Sequence, residues 1–242
     1  MISLTQRITQ QIQGLPEDIS FGYAQLAIAG QEYQSAAKVL ERLQKKGIVK
    51  KLSKGLFYKP KMTRFGEKLP DEQQVLKPYL YQNGKRAAYI TGTYLYNQMG
   101  LTTQIPVVIQ IASKDKRIFI NRGTIQATAV KSYVDVTESN FQILGLLDAM
   151  KDLKQIPDMD IQAALTIFKN QISQLDEKKL GELIGFALKY PPRVRALLGA
   201  ILTVTDTTID IQPLYNSLNP LTTFVLGIDS NVLASVSKWN IQ

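Results

Sequence analysis

The chain has 242 residues, 45% of them hydrophobic and 20% charged, and its formal net charge is +9. This composition is typical of a globular protein with room for two or three small domains. The chain contains neither Cys nor His, which excludes disulfides and thiol chemistry and removes the commonest general base and the commonest neutral metal ligand.

The first 66 residues predict three helices followed by a β-hairpin. A first helix is expected over 3–13, an extended segment at "ISF" and a second helix near 23–28. The third helix has the clearest signal, because Ala36, Val39, Leu40 and Leu43 follow the i, i+3, i+4, i+7 period of a buried stripe. Gly47 is expected to end this helix.

Basic residues follow the face opposite that stripe and continue into the next segment. "IVKKL" and "GLFYK" have strand composition and flank a Ser-Lys-Gly turn, so they predict a hairpin. Three helices followed by a basic hairpin are typical of a winged helix-turn-helix, in which the third helix enters the major groove. The predicted DNA-binding residues are Tyr33, Gln34, Ser35, Lys38, Arg42, Lys45, Lys50, Lys51, Lys54 and Lys59.

The rest of the chain predicts a mixed segment and then a helical one. The stretch 59–73 reads as a linker because it combines Pro, Gly and charge. Helices near 71–81 and 93–99 and four Val-, Ile- and Thr-rich strands are expected before residue 136. Four helices follow, starting at "NFQILGLLDAMKDL", "MDIQAALTIFKNQIS", "DEKKLGELIGFALKY" and "RVRALLGAILTV". Of their glycines, Gly199 is expected at a close helix contact, and those of "KLGELIGFALK" are assigned to packing rather than to phosphate binding.

We therefore predict an α+β protein with an N-terminal winged helix-turn-helix domain, a small mixed α/β middle domain and a helical C-terminal region. The expected boundaries are 1–66 for the DNA-binding domain, 67–136 for the middle domain and 137–242 for the helical region, which either stands alone or forms one unit with the middle domain. Net charge falls along the chain. Residues 1–66 carry 11 Lys and Arg against 4 Asp and Glu, whereas residues 132–242 carry 9 against 12. The basic end indicates a polyanionic partner.

Other polar groups give weaker indications. A second basic cluster is either a solvated turn or an extension of the DNA contact; its members are Lys85, Arg86, Lys114, Lys116 and Arg117. Asp158 and Asp160 are expected to cap the helix that follows them, with cation binding as the alternative. Neither a phosphate loop nor a dinucleotide-binding glycine motif is present. No enzymatic activity, no cofactor and no metal are therefore expected.

Four stretches resemble a known family, the AbiEi-type antitoxins of type IV toxin–antitoxin systems in abortive infection. They are "RLQKKGIVKKLSKGLFYKP", "TGTYLYNQMGLTTQIP", "YPPRVRALLGAIL" and "LNPLTTFVLGI". The resemblance runs from about residue 35 onward, and "MGLTTQIP" is its most specific part. It implies an N-terminal winged helix that binds the promoter of its own operon, a larger domain needed for antitoxin action, and a nucleotidyltransferase-like toxin as partner.

The expected function is transcriptional repression by a DNA-binding antitoxin in the bacterial cytoplasm. Its expected partners are double-stranded DNA and the toxin. No membrane partner is expected, because no apolar run reaches the roughly 18 residues of a membrane span. The alternative is a protein-interaction module that uses the winged helix as a docking platform without sequence-specific DNA binding.

Overall fold

The structure, a computed structural model, divides into two compact units, Met1–Pro78 and Tyr79–Gln242. It describes residues 3–17, 20–53, 55–64, 66–68, 72–122, 125–205 and 208–242. Helices and several sheets are present together, which confirms the α+β class. Among the described helices, none is long and apolar enough to cross a membrane.

Helix α2 is the central element of the first unit. It spans Tyr33–Lys45, and its side chains at Ala36, Val39, Leu40 and Leu43 are buried, as the periodicity predicted. They pack in one core with Ile8 and Ile12 of helix α1, which spans Leu4–Gly14. A capping box between Ser3 and Gln6 begins α1 by satisfying backbone N–H groups that the first turn leaves unpaired.

Gly47 ends α2, as predicted. Its φ of +71° lies in the left-handed region that glycine adopts without steric cost. The Gly47 N–H donates to the Gln44 carbonyl, and the Ile48 N–H donates to the Leu43 carbonyl, both at 3.0 Å. These two bonds form a Schellman motif, which satisfies helix-terminal carbonyls and fixes the direction in which the chain leaves the helix.

The predicted second α-helix over 23–28 is wrong in kind and length. The segment is a 3-10 helix, Tyr23–Leu26, followed by a second 3-10 helix, Gly30–Glu32. Ala27 has a φ of +42°, so the chain leaves the helical region after four residues. An L-residue in the left-handed conformation cannot continue a right-handed helix, which explains the early stop.

Three strands form an antiparallel sheet in the first unit, in the order β1-β3-β2. They are β1 Ser20–Gly22, β2 Lys50–Ser53 and β3 Leu56–Tyr58. The predicted hairpin is therefore present as β2 and β3, and Gly55 in its turn has a φ of +75°. The predicted linker over 59–73 contains a further antiparallel pair, β4 Lys61–Thr63 and β5 Gly66–Lys68. Its polar composition concealed this pairing, which brings Lys61 opposite Lys68.

The second unit contains a four-stranded sheet in the order β10-β11-β9-β8. Its strands are β8 Tyr89–Thr91, β9 Val108–Ser113, β10 Ile120–Arg122 and β11 Ile125–Lys131. β9 and β11 are parallel, whereas β8 and β10 pair antiparallel with their neighbours. A small hairpin, β6 Tyr81–Gln82 and β7 Lys85–Arg86, precedes the sheet.

Helices occupy most of the remaining chain, and the four predicted after residue 137 are confirmed. The helices beyond α2 are α3 Glu72–Leu80, α4 Thr93–Gln98, α5 Phe141–Lys151, α6 Ile161–Ser173, α7 Glu177–Ala187, α8 Pro192–Thr203 and α9 Gln212–Asn216. A 3-10 helix, Val236–Trp239, lies near the end of the chain. One hydrophobic core includes Tyr89 and Ala112 of the sheet together with Leu147 and Phe168 of the helices.

The glycines of the helical region have different roles. A methyl group on Gly199 would overlap the Trp239 ring, so this glycine does permit the close contact that was predicted. A methyl group on Gly181 or Gly185 would meet no described atom within 4 Å. The prediction that packing requires the α7 glycines is therefore wrong, because their open surroundings would accept a larger side chain.

Candidate nucleic-acid interface

The outer face of α2 is polar, basic and accessible. All six predicted residues on this helix are exposed: Tyr33, Gln34, Ser35, Lys38, Arg42 and Lys45. Gln34, Lys38 and Lys45 lie opposite the buried stripe, because one face of an amphipathic helix faces the core and the other faces water; Tyr33 lies at the edge of the stripe. We call this surface the α2 cationic face.

The cations of the α2 cationic face are weakly engaged. Lys45 pairs with Glu41 at 3.1 Å, and both side chains are largely exposed. Such i, i+4 pairs on a helix surface contribute only about 0.3–0.5 kcal/mol, so a stronger anion would displace Glu41. Within the described residues, Lys38 and Arg42 make no ion pair. Lys46, the C-cap residue of α2, is also exposed.

The hairpin cations do not share one surface. Lys50 lies opposite Tyr58 and Lys51 lies opposite Phe57 in the β2–β3 register. Successive strand residues point to opposite faces. The two exposed lysines therefore lie on different faces of the hairpin, and only one of them can lie on the same surface as another given cation. Lys59 is half-buried, and its ammonium donates to the Gln13 carbonyl at 3.2 Å.

Lys54, predicted at the tip of the hairpin, lies outside the described residues.

Aromatic packing fixes the start of α2 relative to the hairpin. The Tyr33 ring is 45% exposed and meets the Tyr23 ring edge-on, with centroids 5.2 Å apart. Tyr23 in turn packs edge-on against Phe57 of β3, with centroids 6.2 Å apart. Tyr23 also lies beside Gly55, where a Cβ would be 3.6 Å from its ring. One aromatic side chain therefore contacts both the beginning of α2 and the hairpin.

An acidic residue stabilises the turn before α2. The Glu32 carboxylate accepts a bond from the Ala29 backbone N–H at 3.2 Å and pairs with Arg7 of α1. The Ala29 bond and, second, the Arg7 guanidinium lower the pKa of Glu32. Arg7 is thus engaged within the unit.

Some residues of the second basic cluster form ion pairs within the second unit, and the others are exposed without one among the described residues. Arg86 is fixed, because its guanidinium pairs with Glu138, with Nε 2.9 Å from the carboxylate. It also donates to the Tyr81 hydroxyl at 2.8 Å and stacks 3.8 Å from the Phe141 ring centroid. Only 11% of the Arg86 side chain is exposed. Arg86 therefore stabilises this unit internally and does not belong to an open basic surface.

Lys114 is also paired, with its ammonium 2.6 Å from the Asp135 carboxylate. The hydrogen bond to Asp135 raises the pKa of Lys114. Lys85, Lys116 and Arg117 are exposed, and the described residues offer them no ion-pair partner.

A buried polar cluster in the second unit escaped sequence analysis. The Asp148 carboxylate of α5, 2% exposed, accepts hydroxyl bonds from Tyr89 at 2.7 Å, Thr91 at 2.8 Å and Tyr190 at 3.1 Å. The Lys151 ammonium lies 3.7 Å away. Burial raises the pKa of Asp148, because the charged form loses solvation. Two features of the sequence pointed to this cluster: an acid inside an apolar helix, and polar groups at alternate positions of β8.

The two aspartates before α6 have different roles. Asp160 caps the helix, as predicted, by accepting a bond from the Ala163 N–H at 2.8 Å. Asp158 does not cap it; it has a φ of +52° and accepts a bond from the Gln104 side chain at 3.0 Å. Nowhere in the described part of the chain do three or more acidic side chains gather as metal ligands would.

Comparison with known proteins places the fold and the family. A comparison with curated proteins finds no match. The structure is similar to the crystal structure of the RV2827C protein from Mycobacterium tuberculosis, with a TM-score of 0.52 and 10% sequence identity over 90% of this chain and 83% of that one. Residues 7–189 match the profile described as a family of unknown function, DUF6088. Because this match spans more than half of the sequence, the chain belongs to the DUF6088 family.

Proposed function

We propose that this protein is a DNA-binding transcriptional repressor that recognises the promoter of its own operon through a winged helix in the first unit. We further propose that it acts as the antitoxin of a type IV-like toxin–antitoxin pair. The α2 cationic face is the observation that carries the DNA-binding part. An exposed helix with unpaired cations fits the width of a major groove and the charge of the flanking phosphates.

The order of elements supports the winged helix. A helix, a strand, a short helix, the exposed helix α2 and an antiparallel hairpin follow each other within residues 4–58. In a winged helix-turn-helix the last helix contacts base edges, and the hairpin contacts the adjacent backbone or minor groove. Residues near the start of α2, such as Gln34 and Lys38, would then face bases, and Arg42 would face a base or a phosphate.

The antitoxin part rests on the sequence resemblance to AbiEi-type antitoxins. That resemblance extends through the second unit, with "MGLTTQIP" as its most specific stretch. The partner it implies is a nucleotidyltransferase-like toxin. We assign neutralisation of this toxin to the second unit, and promoter binding to the first.

A second candidate is a protein-docking role for α2. Two apolar side chains near its ends favour it, because Tyr33 is 45% exposed and Ile48 is 38% exposed. Exposed aromatic groups are frequent anchors of protein interfaces. In that case the α2 cationic face would bind an acidic protein rather than a duplex.

Promoter binding is tested by fluorescence anisotropy with a duplex from the region upstream of the protein's own gene. Arg42→Ala should weaken binding about tenfold, since a lost base contact costs about 1–3 kcal/mol. If Arg42 contacts only a phosphate, the slope of log K plotted against log salt concentration should instead become less steep by about 0.9. The matched control is Lys178→Ala, which removes an equally exposed lysine from the surface of α7.

The result that contradicts DNA binding is the absence of any complex at low salt, or equal losses for Arg42→Ala and Lys178→Ala. The antitoxin part has a separate test, rescue of growth when the toxin encoded beside the gene is expressed. Arg42→Ala should rescue growth as well as the unaltered protein does, because neutralisation is assigned to the second unit. Failure of both proteins to rescue would contradict the antitoxin role alone.

A further inference from the structure

Part of one face of the four-stranded sheet is open to solvent across β9, β10 and β11; farther along β9 the same face is covered, because Ala112 is buried in the helical core. The inward side chains of β9, β10 and β11 are buried; they are Ile109, Ile111, Ile120, Ile125 and Ala127. The alternate side chains are exposed; they are Val108, Gln110, Asn121, Gln126 and Thr128. We call this second set the open sheet face. Sheets of globular proteins cover an apolar face with other elements and leave a polar face to water or to a ligand.

The strand register arranges these side chains in rows. Asn121, Gln126 and Val108 are direct neighbours across β10, β11 and β9. Thr128 and Gln110 form the next row, and the Gln110 amide lies against Gly92, where a Cβ would displace it. Neighbouring strands lie about 4.8 Å apart, so the rows form a continuous, mainly polar surface.

An exposed aromatic side chain lies beside this surface. Ile118 and Ile120 are buried and Phe119 between them is 66% exposed. This alternation continues that of β10 and directs the Phe119 ring to the same side as Asn121. At this exposure the face of the Phe119 ring is accessible to a stacking partner.

Positive charge adjoins the ring. Lys116 and Arg117 lie three and two residues before Phe119, are exposed, and have no ion-pair partner in the ranges that the structure covers. The open sheet face itself carries amides, a hydroxyl and an aliphatic group but no acid, so the surface complements a polyanion.

We propose that the open sheet face binds single-stranded nucleic acid. An unpaired base stacks on Phe119, the amides of Asn121 and Gln126 bond to base edges, and Lys116 and Arg117 contact the phosphates. The major groove admits a helix or a two-stranded ribbon, whereas the face of a wider sheet with an exposed aromatic side chain is a platform for unstacked bases. This site is distinct from the α2 cationic face, which we assign to duplex DNA.

The test measures the anisotropy of fluorescein-labelled oligouridylate and oligodeoxyuridylate, which differ only in the sugar. Each is about 20 nucleotides long, which exceeds the roughly 4–16 nucleotides that one OB fold covers. The full chain carries Arg42→Ala, so that the α2 cationic face contributes little. Phe119→Ala should raise the Kd about tenfold, since stacking on one aromatic is typically worth that factor or more. Phe119→Trp should retain binding, because the larger ring still stacks. Leu221→Ala removes another highly exposed apolar side chain and should leave the Kd unchanged.

Binding of either oligonucleotide with this pattern supports the proposal, and the tighter of the two identifies the sugar. Three results overturn it: no binding of either strand, equal Kd values for Phe119→Ala and the parent chain, or preference for a duplex of the same length. A dimer that Phe119→Ala dissociates in light scattering also overturns it, because a second copy would then cover the face. In the chain with Arg42 intact, Phe119→Ala should leave promoter affinity unchanged, which separates this proposal from the one on α2.

Discussion

Replacing Asp148 by Ala should destabilise the second unit strongly. The change removes the common acceptor of the Tyr89, Thr91 and Tyr190 hydroxyls, which donate to the carboxylate at 2.7, 2.8 and 3.1 Å. A buried polar group left without a partner costs about 1–3 kcal/mol. Some hydroxyls will rotate toward other acceptors, so we expect a total loss of about 3–5 kcal/mol, the range found when one member of a buried charged pair is removed.

The same residue gives the stability a defined pH dependence. Burial raises the pKa of Asp148 in the folded protein above the unfolded value of about 3.9. The folded state therefore binds this proton more tightly than the unfolded chain does. The resulting stabilisation is complete below the unfolded pKa and is lost as the pH rises through the folded pKa. The free energy of unfolding of the unaltered protein minus that of Asp148→Asn should be most positive in acid, and its value should fall as the pH increases.

Urea unfolding followed by tryptophan fluorescence measures both effects. Trp239, the single tryptophan of the chain, lies in the same hydrophobic core as Tyr89. Glu138→Gln is the control of opposite sign: hydrogen bonding to Arg86 lowers the pKa of Glu138, so its contribution is lost as the pH falls. If the free energy of unfolding of the unaltered protein minus that of Asp148→Asn becomes more positive as the pH rises, the reasoning is refuted. A loss of stability below about 1 kcal/mol for Asp148→Ala would refute it as well.

Three further substitutions in the second unit test the packing at Gly199 and the ion pair between Arg86 and Glu138, whose carboxylate is largely exposed. Gly199→Ala should lower the free energy of unfolding by about 1–3 kcal/mol, because the new methyl group overlaps the Trp239 ring. Gly185→Ala, in an open helical position, should raise it by up to about 1 kcal/mol through helix propensity alone; equal effects of the two changes would contradict this assignment. Arg86→Lys should lower the melting temperature, because an ammonium cannot reproduce the two-nitrogen contact with Glu138, and an unchanged melting temperature would show that the fork geometry is unimportant.

Sequence patterns within a few residues of one another predicted helix α2 and the hairpin, which form the candidate interface. The buried stripe of α2, from Ala36 to Leu43, and its end at Gly47 depend on residues within one or two helical turns. The segment after Tyr23 was predicted incorrectly as an α-helix because nothing in its composition reveals the left-handed Ala27. The pair β4–β5 was missed because its residues are polar, and cross-strand pairing between short strands leaves little trace in sequence.

Contacts between side chains that are distant in sequence could not be predicted. Arg86 reads as part of a basic cluster, yet its partner Glu138 follows 52 residues later. Asp148 likewise meets Tyr89 and Tyr190, which are 59 and 42 residues away. One sequence gives the charge of a residue and its local period, but the fold decides which charges remain available for a ligand. Lys38 and Arg42 remain available because their own helix places them opposite the core.

The Schellman motif at Gly47 has a consequence for recognition. The bond from Ile48 to Leu43 joins the end of α2 to the chain that continues into β2. This bond sets the direction in which the chain leaves α2, and the Tyr23 ring packs against both Tyr33 of α2 and Phe57 of β3. These contacts hold the end of the helix and the hairpin in position before any molecule docks here, which lowers the entropy cost of ordering this surface on binding.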